Sequence, residues 1–504
     1  MVRISDVVSQ NPWWKHGSNF VQYDKNFKEA KAKPVFFQRK EIELNKGKIC
    51  VLRGPRQVGK TTYVKDLVSQ LIVKGVNPDN ILYLSSDFFV SRRELRNAIA
   101  YFMDKNIDAD DLYVFIDEIT SIKDWNLELK YLSDSGVAKK SRIVATGSSA
   151  SSLRKKGELL PGRGLEGNEY HLRPLSFREF VLQTAREIIQ TIRDPETRDS
   201  IRKLQTILGT TGISVGLSSD QLFKALSSVA PFKRELEYLF SLYLRFGGYP
   251  FVVNDYLIRK LRNEGTQNGF SIDPKLSETL VRDIIGDITK LGKQETFIKQ
   301  ILREVFEKYG SRYSFSKLAH DVGTTHVTAI DYLDTLEESF ILSVIYAFDF
   351  EKKDIKFKGD KKVFFQDPFI IHSIRSYLTG MDVNEIIEET MQDEELIGKI
   401  VEGIVTSHLI MNQEVPIMRE TQTFLWCYYD TRGKEIDNIL RIAETCFALE
   451  VKYQSTITSK DIWMIPQVKE YTILTKEDLK IDGGVLLAPV DMLLALVEKS
   501  NRTL

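Results

Sequence analysis

The chain has 504 residues, 42% of them hydrophobic and 28% charged, which excludes a disordered or fibrous protein and leaves room for several globular domains. Its 70 basic and 70 acidic residues cancel, so no global positive field draws it to nucleic acid and any DNA contact has to come from local patches. No stretch reaches the ~20 apolar residues of a membrane helix, residues 1–17 hold no apolar signal core, and Cys50, Cys427 and Cys446 have neither disulfide-framework nor metal-ligand spacing; the expectation is a cytoplasmic protein with no membrane partner.

The first informative elements are a short apolar strand, Ile49 to Leu52, then a glycine loop, then a helix in which Tyr63, Val64, Leu67, Val68, Leu71 and Ile72 recur at helical spacing. The loop, "GPRQVGKT" (54–61), reads G-x-x-x-x-G-K-T, and strand, loop and helix are the context that makes this spacing a phosphate-binding loop. The glycines let successive N–H groups point inward, and the helix N-terminus adds partial positive charge. The nucleotide-binding candidates are Gly54, Pro55, Arg56, Gln57, Val58, Gly59, Lys60, Thr61 and Thr62. Lys60 would reach the β- and γ-phosphates and Thr61 would hold Mg²⁺, so ATP and Mg²⁺ are the implied cofactors.

"DLYVFIDEI" is the partner strand: Leu112 to Ile116 is continuously apolar, as a buried parallel strand would be, and it ends in Asp117–Glu118. Asp117 would bind Mg²⁺ through water and Glu118 would polarise the attacking water; a solvated acidic turn is the competing reading. "NILYLSSD" (80–87) and "SRIVATGSS" (141–149) supply further strands, and Thr146 and Ser148 are candidates to sense the γ-phosphate. A strand inserted between the P-loop strand and the acidic strand marks the NTPases with an additional catalytic glutamate, which points to the AAA+ (ASCE) type and away from small kinases. Downstream, Arg163 stands between two glycines as a candidate arginine finger or phosphate sensor, weighed against a solvated loop arginine, and "RFGGYPFVV" (245–253) makes a Gly-Gly turn near a helical lid.

"GPRQVGKTT", "FIDEI", "ATGSSASSL", "GRG", "LRPLSFREF" and "FGGYP", in this order, resemble a group of archaeal and bacterial AAA+-like ATPases. The C-terminal domain of that group, where recognised, looks like a restriction-endonuclease fold. The resemblance implies a fold and a chemistry more than a biological purpose.

Residues ~181–295 show three- and four-residue apolar spacing and read as the helical lid. The next segment reads as a winged helix: one helix ending near Lys308, a second from about Ser316 to Asp321, a turn at Gly323, and a third capped by Thr324 and ending near Glu338, then a β-pair. The third helix presents Thr324, Thr325, His326 and Thr328 followed by Asp331, Asp334, Glu337 and Glu338. Four carboxylates would meet phosphates unfavourably, so a structural or protein-docking role is expected of it. The lysine-rich "FEKKDIKFKGDKK" (350–362) is a candidate phosphate grip or a solvated hairpin.

In the last segment a periodic helix (393–412) carries Glu402 near its apolar stripe, a strand follows at 422–430, a second (433–442) carries Asp437, and a third, "FALEVKYQ", carries Glu450 and Lys452 on the face opposite Phe447, Leu449, Val451 and Tyr453. A helix, "SKDIWMIPQV", and a strand, "EYTILT", complete the order. This order resembles the core of PD-(D/E)XK nucleases, which implies that Asp437 and Glu450 share a Mg²⁺ ion, that Glu402 completes its shell, and that Lys452 positions water or stabilises the pentavalent charge. A lone Glu-x-Lys pair would by itself read as a surface ion pair.

The expected fold class is α/β: an AAA+-type P-loop core (1–175), a helical lid (176–295), a winged helix (296–360) and a restriction-endonuclease-like domain (361–504). The leading expectation is ATP hydrolysis coupled to a Mg²⁺-dependent DNA endonuclease or DNA-binding module, with ATP/ADP and DNA as partners. One alternative is an ATP-controlled switch whose winged helix and C-terminal domain bind a protein or DNA without cleavage. The other is an oligomeric ring that remodels DNA or protein.

Overall fold

The computed structural model describes residues 4–147, 168–262, 270–413, 423–455, 457–458 and 462–498; Ser148 and Arg163 lie outside them. The chain divides into two compact units, residues 1–173 and residues 174–415 with 419–504. The segments read as lid, winged helix and C-terminal domain all lie in the second.

In the first unit β1 (Ile49–Arg53), β2 (Ile81–Ser85), β3 (Leu112–Asp117), β4 (Ser141–Gly147) and β5 (Glu169–His171) form a parallel sheet in the order β2-β3-β4-β1-β5. Alternate residues enter different cores. Ile49, Val51, Val114, Ile116 and Ile143 pack with Leu95, Ile99, Phe102 and Leu129 on one face, while Cys50, Leu52, Phe115 and Val144 pack with Tyr63, Val64, Leu67 and Val68 on the other. Burial on both faces is why these strands read as unbroken apolar runs. β4 pairs with both β1 and β3, so it is the strand inserted between the P-loop strand and the acidic strand. Because all strands run the same way, β1, β3 and β4 end at one edge, which brings the glycine loop and the acidic pair together.

The outer edge of β2 is closed by side chains rather than by a strand. Asn11 accepts from the Tyr83 N–H and donates to its carbonyl, Gln10 accepts from the Ser85 N–H, and the indoles of Trp13 and Trp14 donate to the Ile81 carbonyl. An edge that would otherwise invite pairing is thereby satisfied.

The second unit begins with helices whose starts the sequence sets locally: Ser176 with Glu179 and Ser218 with Gln221 form capping boxes. The "FGGYP" turn is a packing joint. A Cβ on Gly248 would lie 2.1 Å from the Leu175 carbonyl oxygen, and the Gly248 N–H donates to Asp367 Oδ2 at 2.7 Å. Helices Glu295–Glu307, Phe315–Val322 and His326–Glu338 are followed by β6 (Leu342–Tyr346), a short β7 (Phe348–Asp349) and β8 (Asp354–Ile355) hairpin, and β9 (Lys361–Phe365), which pairs antiparallel with β6. The cap of the third helix is Thr325, whose hydroxyl accepts from the Thr328 N–H, and not Thr324. Gly323 is left-handed and the Thr324 N–H closes back on the Ala319 carbonyl, so Thr324 belongs to the end of the preceding helix.

The helix Glu394–Gln413 packs against β11 and β12 of a six-stranded sheet in the order β10-β11-β12-β13-β15-β14, built from Leu425–Tyr429, Glu435–Ile442, Thr445–Val451, Glu470–Thr475, Lys480–Asp482 and Val485–Pro489, which are β10 to β15 in chain order. β10, β11 and β12 form an antiparallel meander, and β12, β13 and β15 run parallel. The helix expected at "SKDIWMIPQV" is absent over 462–468, which are coil and a turn. Pro466 disfavours helix at Ile465, and the Ile465 N–H and carbonyl are both taken by the Tyr471 hydroxyl. The apolar spacing arose because Ile462, Trp463, Ile465 and Val468 cover one face of the sheet.

Candidate functional site

At the P-loop, a Cβ on Gly54 would lie 2.0 Å from the Leu172 carbonyl oxygen, so only glycine fits where the loop leaves β1. Gln57 (φ 64°) and Gly59 (φ 96°) turn the backbone left-handed and aim the loop into the helix Lys60–Val73. Val58 is buried beneath the loop, Arg56 and Thr62 are half-buried, and Gln57 and Thr61 are exposed. The Lys60 ammonium lies across the loop, donating to the carbonyls of Gly54 (2.8 Å) and Pro55 (2.9 Å).

Asp117 is buried and receives three hydroxyl protons: from Thr61 at 2.6 Å, Tyr83 at 2.8 Å and Thr146 at 2.5 Å. The Thr146 oxygen in turn accepts the Glu118 N–H at 2.9 Å. Thr146, expected to face a phosphate, therefore spends its proton on Asp117 and fixes the acidic pair. Glu118 sits in the left-handed region (φ 51°, ψ 45°) and accepts from Thr120 Oγ1 at 3.1 Å. Such a backbone costs about 1–3 kcal/mol and persists where the surroundings impose it. Here the surroundings are tight: a Cβ on Gly147 would come within 2.6 Å of Thr120.

Tyr83 escaped the sequence reading because it sits in an apolar strand and looks like core; no local signal separates it from Phe115. Burial, and then the Asp117 charge, push its phenol well up, so it stays a donor. Thr61 Oγ1 and Asp117 Oδ2 are adjacent hard oxygens at the end of the glycine loop, and a hydroxyl can lend a lone pair to a cation while still donating its proton. The donor set fits Mg²⁺.

In the second unit the structure brings Glu402, Asp437, Glu450 and Lys452 together, with two residues the sequence reading missed. Lys362 from β9 places its ammonium 2.6 Å from Glu402, 2.7 Å from Asp437 and 2.7 Å from Glu435. The lysine run 350–362 is thus no uniform charged hairpin, since Lys361 and Lys362 are buried. Lys362 reads as surface in a lysine-rich segment, and only long-range pairing of β9 reveals its direction.

Asp437 Oδ2 accepts from the Val451 N–H at 2.9 Å, Glu450 Oε2 from the Asp437 N–H at 3.1 Å, and Glu450 Oε1 from Lys452 at 3.1 Å. Both oxygens of Asp437 and both of Glu450 therefore already accept N–H donors. Burial opposes the Asp437 charge, but the Lys362 ammonium outweighs it and holds that carboxyl below its ordinary value. Burial, and then Asp437, push Glu450 up to about 7 and Glu402 well up. Among the described residues no group of three or more His, Cys, Asp and Glu side chains is arranged to hold a metal ion. Glu402, Asp437 and Glu450 do not fit the Mg²⁺ shell expected of them: a buried ammonium stands among them.

With this geometry in hand, the comparisons fall on the same segments. Residues 46–181 match an AAA domain. The P-loop and acidic pair thus sit in a segment similar to AAA-type P-loop ATPases. Residues 237–382 and 397–494 match two domains of unknown function, DUF8612 and DUF4143. Two uncharacterized proteins of Methanocaldococcus jannaschii are 23% and 21% identical, covering 91% of this chain each and 87% and 85% of their own length. An uncharacterized protein of Haemophilus influenzae is 24% identical over 63% of this chain and 67% of its own. Among solved structures, the ORC1 protein of Aeropyrum pernix in complex with DNA is 12% identical, covers 68% of this chain and 89% of its own, and has a TM-score of 0.31. CDC6P of Pyrobaculum aerophilum is 14% identical, with 68% and 88% covered and a TM-score of 0.25. Among the described residues no helix is long and apolar enough to cross a membrane.

Proposed function

We propose that the chain hydrolyses ATP at the Gly54–Thr61 loop and uses the nucleotide state to control the second unit. The observation that carries this reading is the Thr61–Asp117 contact at 2.6 Å, which joins the loop hydroxyl to the acidic strand at one sheet edge. Lys60 exchanges its two carbonyl partners for phosphate oxygens, a charge-assisted replacement. Mg²⁺, held by Thr61 and Asp117, would offset charge on the phosphates. Glu118 orients the attacking water, while Tyr83 and Thr146 keep Asp117 aligned. Arg163, outside the described residues, is the candidate finger.

For the second unit, a partner-binding module is better supported than a nuclease. The helices 295–338 and the β6–β9 hairpin suit a winged helix, and the sheet with its preceding helix suits a nuclease-like fold. The acidic centre, however, already holds a cation, the buried Lys362 ammonium in contact with Glu402, Glu435 and Asp437. Lys352, Lys353 and Lys358 remain exposed on the hairpin and could grip phosphates without reading bases. The acidic face of the 326–338 helix is partly committed, Asp331 to Lys293 and Glu337 to the Val344 N–H.

Glu118→Gln tests the hydrolytic role. It is expected to bind ATP normally and to turn it over about 10²-fold or more slowly, as loss of a general base does. Wild-type turnover in this variant would place the base elsewhere.

A further inference from the structure

The ammonium inside the C-terminal acidic centre has a consequence of its own. Lys362 is 1% exposed and its three N–H bonds meet three carboxylates, Glu402 at 2.6 Å, Glu435 at 2.7 Å and Asp437 at 2.7 Å. Glu435 is held from its other oxygen by Arg312 at 2.7 Å, and Glu450 by Lys452 at 3.1 Å. Four carboxylates therefore face three cations.

The position of Lys362 is fixed by its strand. β9 pairs with β6 over its whole length, Ile345 opposite Lys362 and Val344 opposite Val363. The neighbouring Lys361 donates instead to the Gly359 carbonyl at 2.9 Å and to that of Phe357, on its own loop. Strand alternation then sends Lys362 the other way, into the acids. All five residues of β9 are buried, so the Lys362 ammonium is held in the interior with its acids.

We propose that Lys362 is the resident cation of this centre: its ammonium stands where a divalent metal ion would be needed, and the cluster anchors β9 to the helix Glu394–Gln413 and to β11 without any metal. The same carboxylates would form a metal site only once the ammonium is removed. A divalent ion arriving beside Lys362 would meet a buried positive charge that already contacts three of the same carboxylates. This reading does not depend on ATP hydrolysis in the first unit.

The test is Mn²⁺ binding by calorimetry on the full chain without nucleotide, comparing wild type, Glu402→Gln, Lys362→Met and the Lys362→Met/Glu402→Gln pair. The expected result is equal Mn²⁺ binding by wild type and Glu402→Gln, and one additional site in Lys362→Met that the second substitution weakens about tenfold or more. A wild-type site that Glu402→Gln weakens would overturn the proposal. So would a folded Lys362→Met, verified by circular dichroism, that gains no site. Should Lys362→Met not fold, the comparison of wild type with Glu402→Gln decides by itself.

Discussion

Asp117 shows how much of a site hangs on single hydroxyls. Three of them donate to one buried carboxylate, and two, Thr61 and Thr146, come from segments that the sequence marks plainly. The third, Tyr83, is legible only in three dimensions, because an apolar strand gives no hint of which neighbour its hydroxyl will meet. Tyr83→Phe keeps the ring and removes one donor, a loss of about 1 kcal/mol in how Asp117 is held. ATP affinity is expected to stay within about twofold while kcat falls about fivefold. An affinity loss equal to the kcat loss would show that Tyr83 supports nucleotide binding and not alignment for the reaction. Lys362 is the mirror case: its neighbours in sequence are lysines on a hairpin, yet its partners lie on a helix and a strand 40 and 75 residues away.

At the scale of elements, helices and parallel strands were legible wherever the signal was local. Apolar periodicity, capping boxes and the glycine loop are properties of a few adjacent residues. The coil at 462–468 was misread because sheet-covering residues imitate a helical stripe, and the edge cap of β2 by Asn11, Trp13 and Trp14 left no periodic trace. His408 joins two helices in the same hidden way. Its Nδ1–H donates to the Ile404 carbonyl and its Nε2 accepts from the Phe177 N–H, each at 2.8 Å. Burial pushes the imidazole down to about 4 from 6.5, so the fold favours the neutral ring. The contribution is present above pH ~6.5 and is lost as pH falls toward ~4, worth roughly 3 kcal/mol in full. Asp367 and Asp491, pushed up to about 7 by burial, act oppositely and lose their contribution as pH rises through that value. Denaturant midpoints for wild type and His408→Gln are therefore expected to differ most near neutrality and to converge as pH falls from 6.5 to 4. A difference that stays constant across that window would mean His408 does not titrate with folding.

At the scale of the whole molecule, we propose ATP hydrolysis in the first unit, while the acidic centre of the second unit holds Lys362 among its carboxylates. The motif order in the sequence located both centres, since a phosphate-binding loop and an acidic strand end are set by local backbone geometry. It could not tell a metal shell from an ion-pair hub, because that difference rests on a cation supplied by a distant strand. The central claim is that the Gly54–Thr61 loop binds ATP for hydrolysis. The most direct measurement is an ATP titration and turnover assay of wild type and Lys60→Ala, with Mg²⁺ and with the ion removed by chelation. Loss of one charge-assisted phosphate contact predicts about 10- to 100-fold weaker binding in Lys60→Ala, and chelation is expected to end turnover in the wild type. Unchanged affinity in Lys60→Ala, or turnover that survives chelation, would contradict the account.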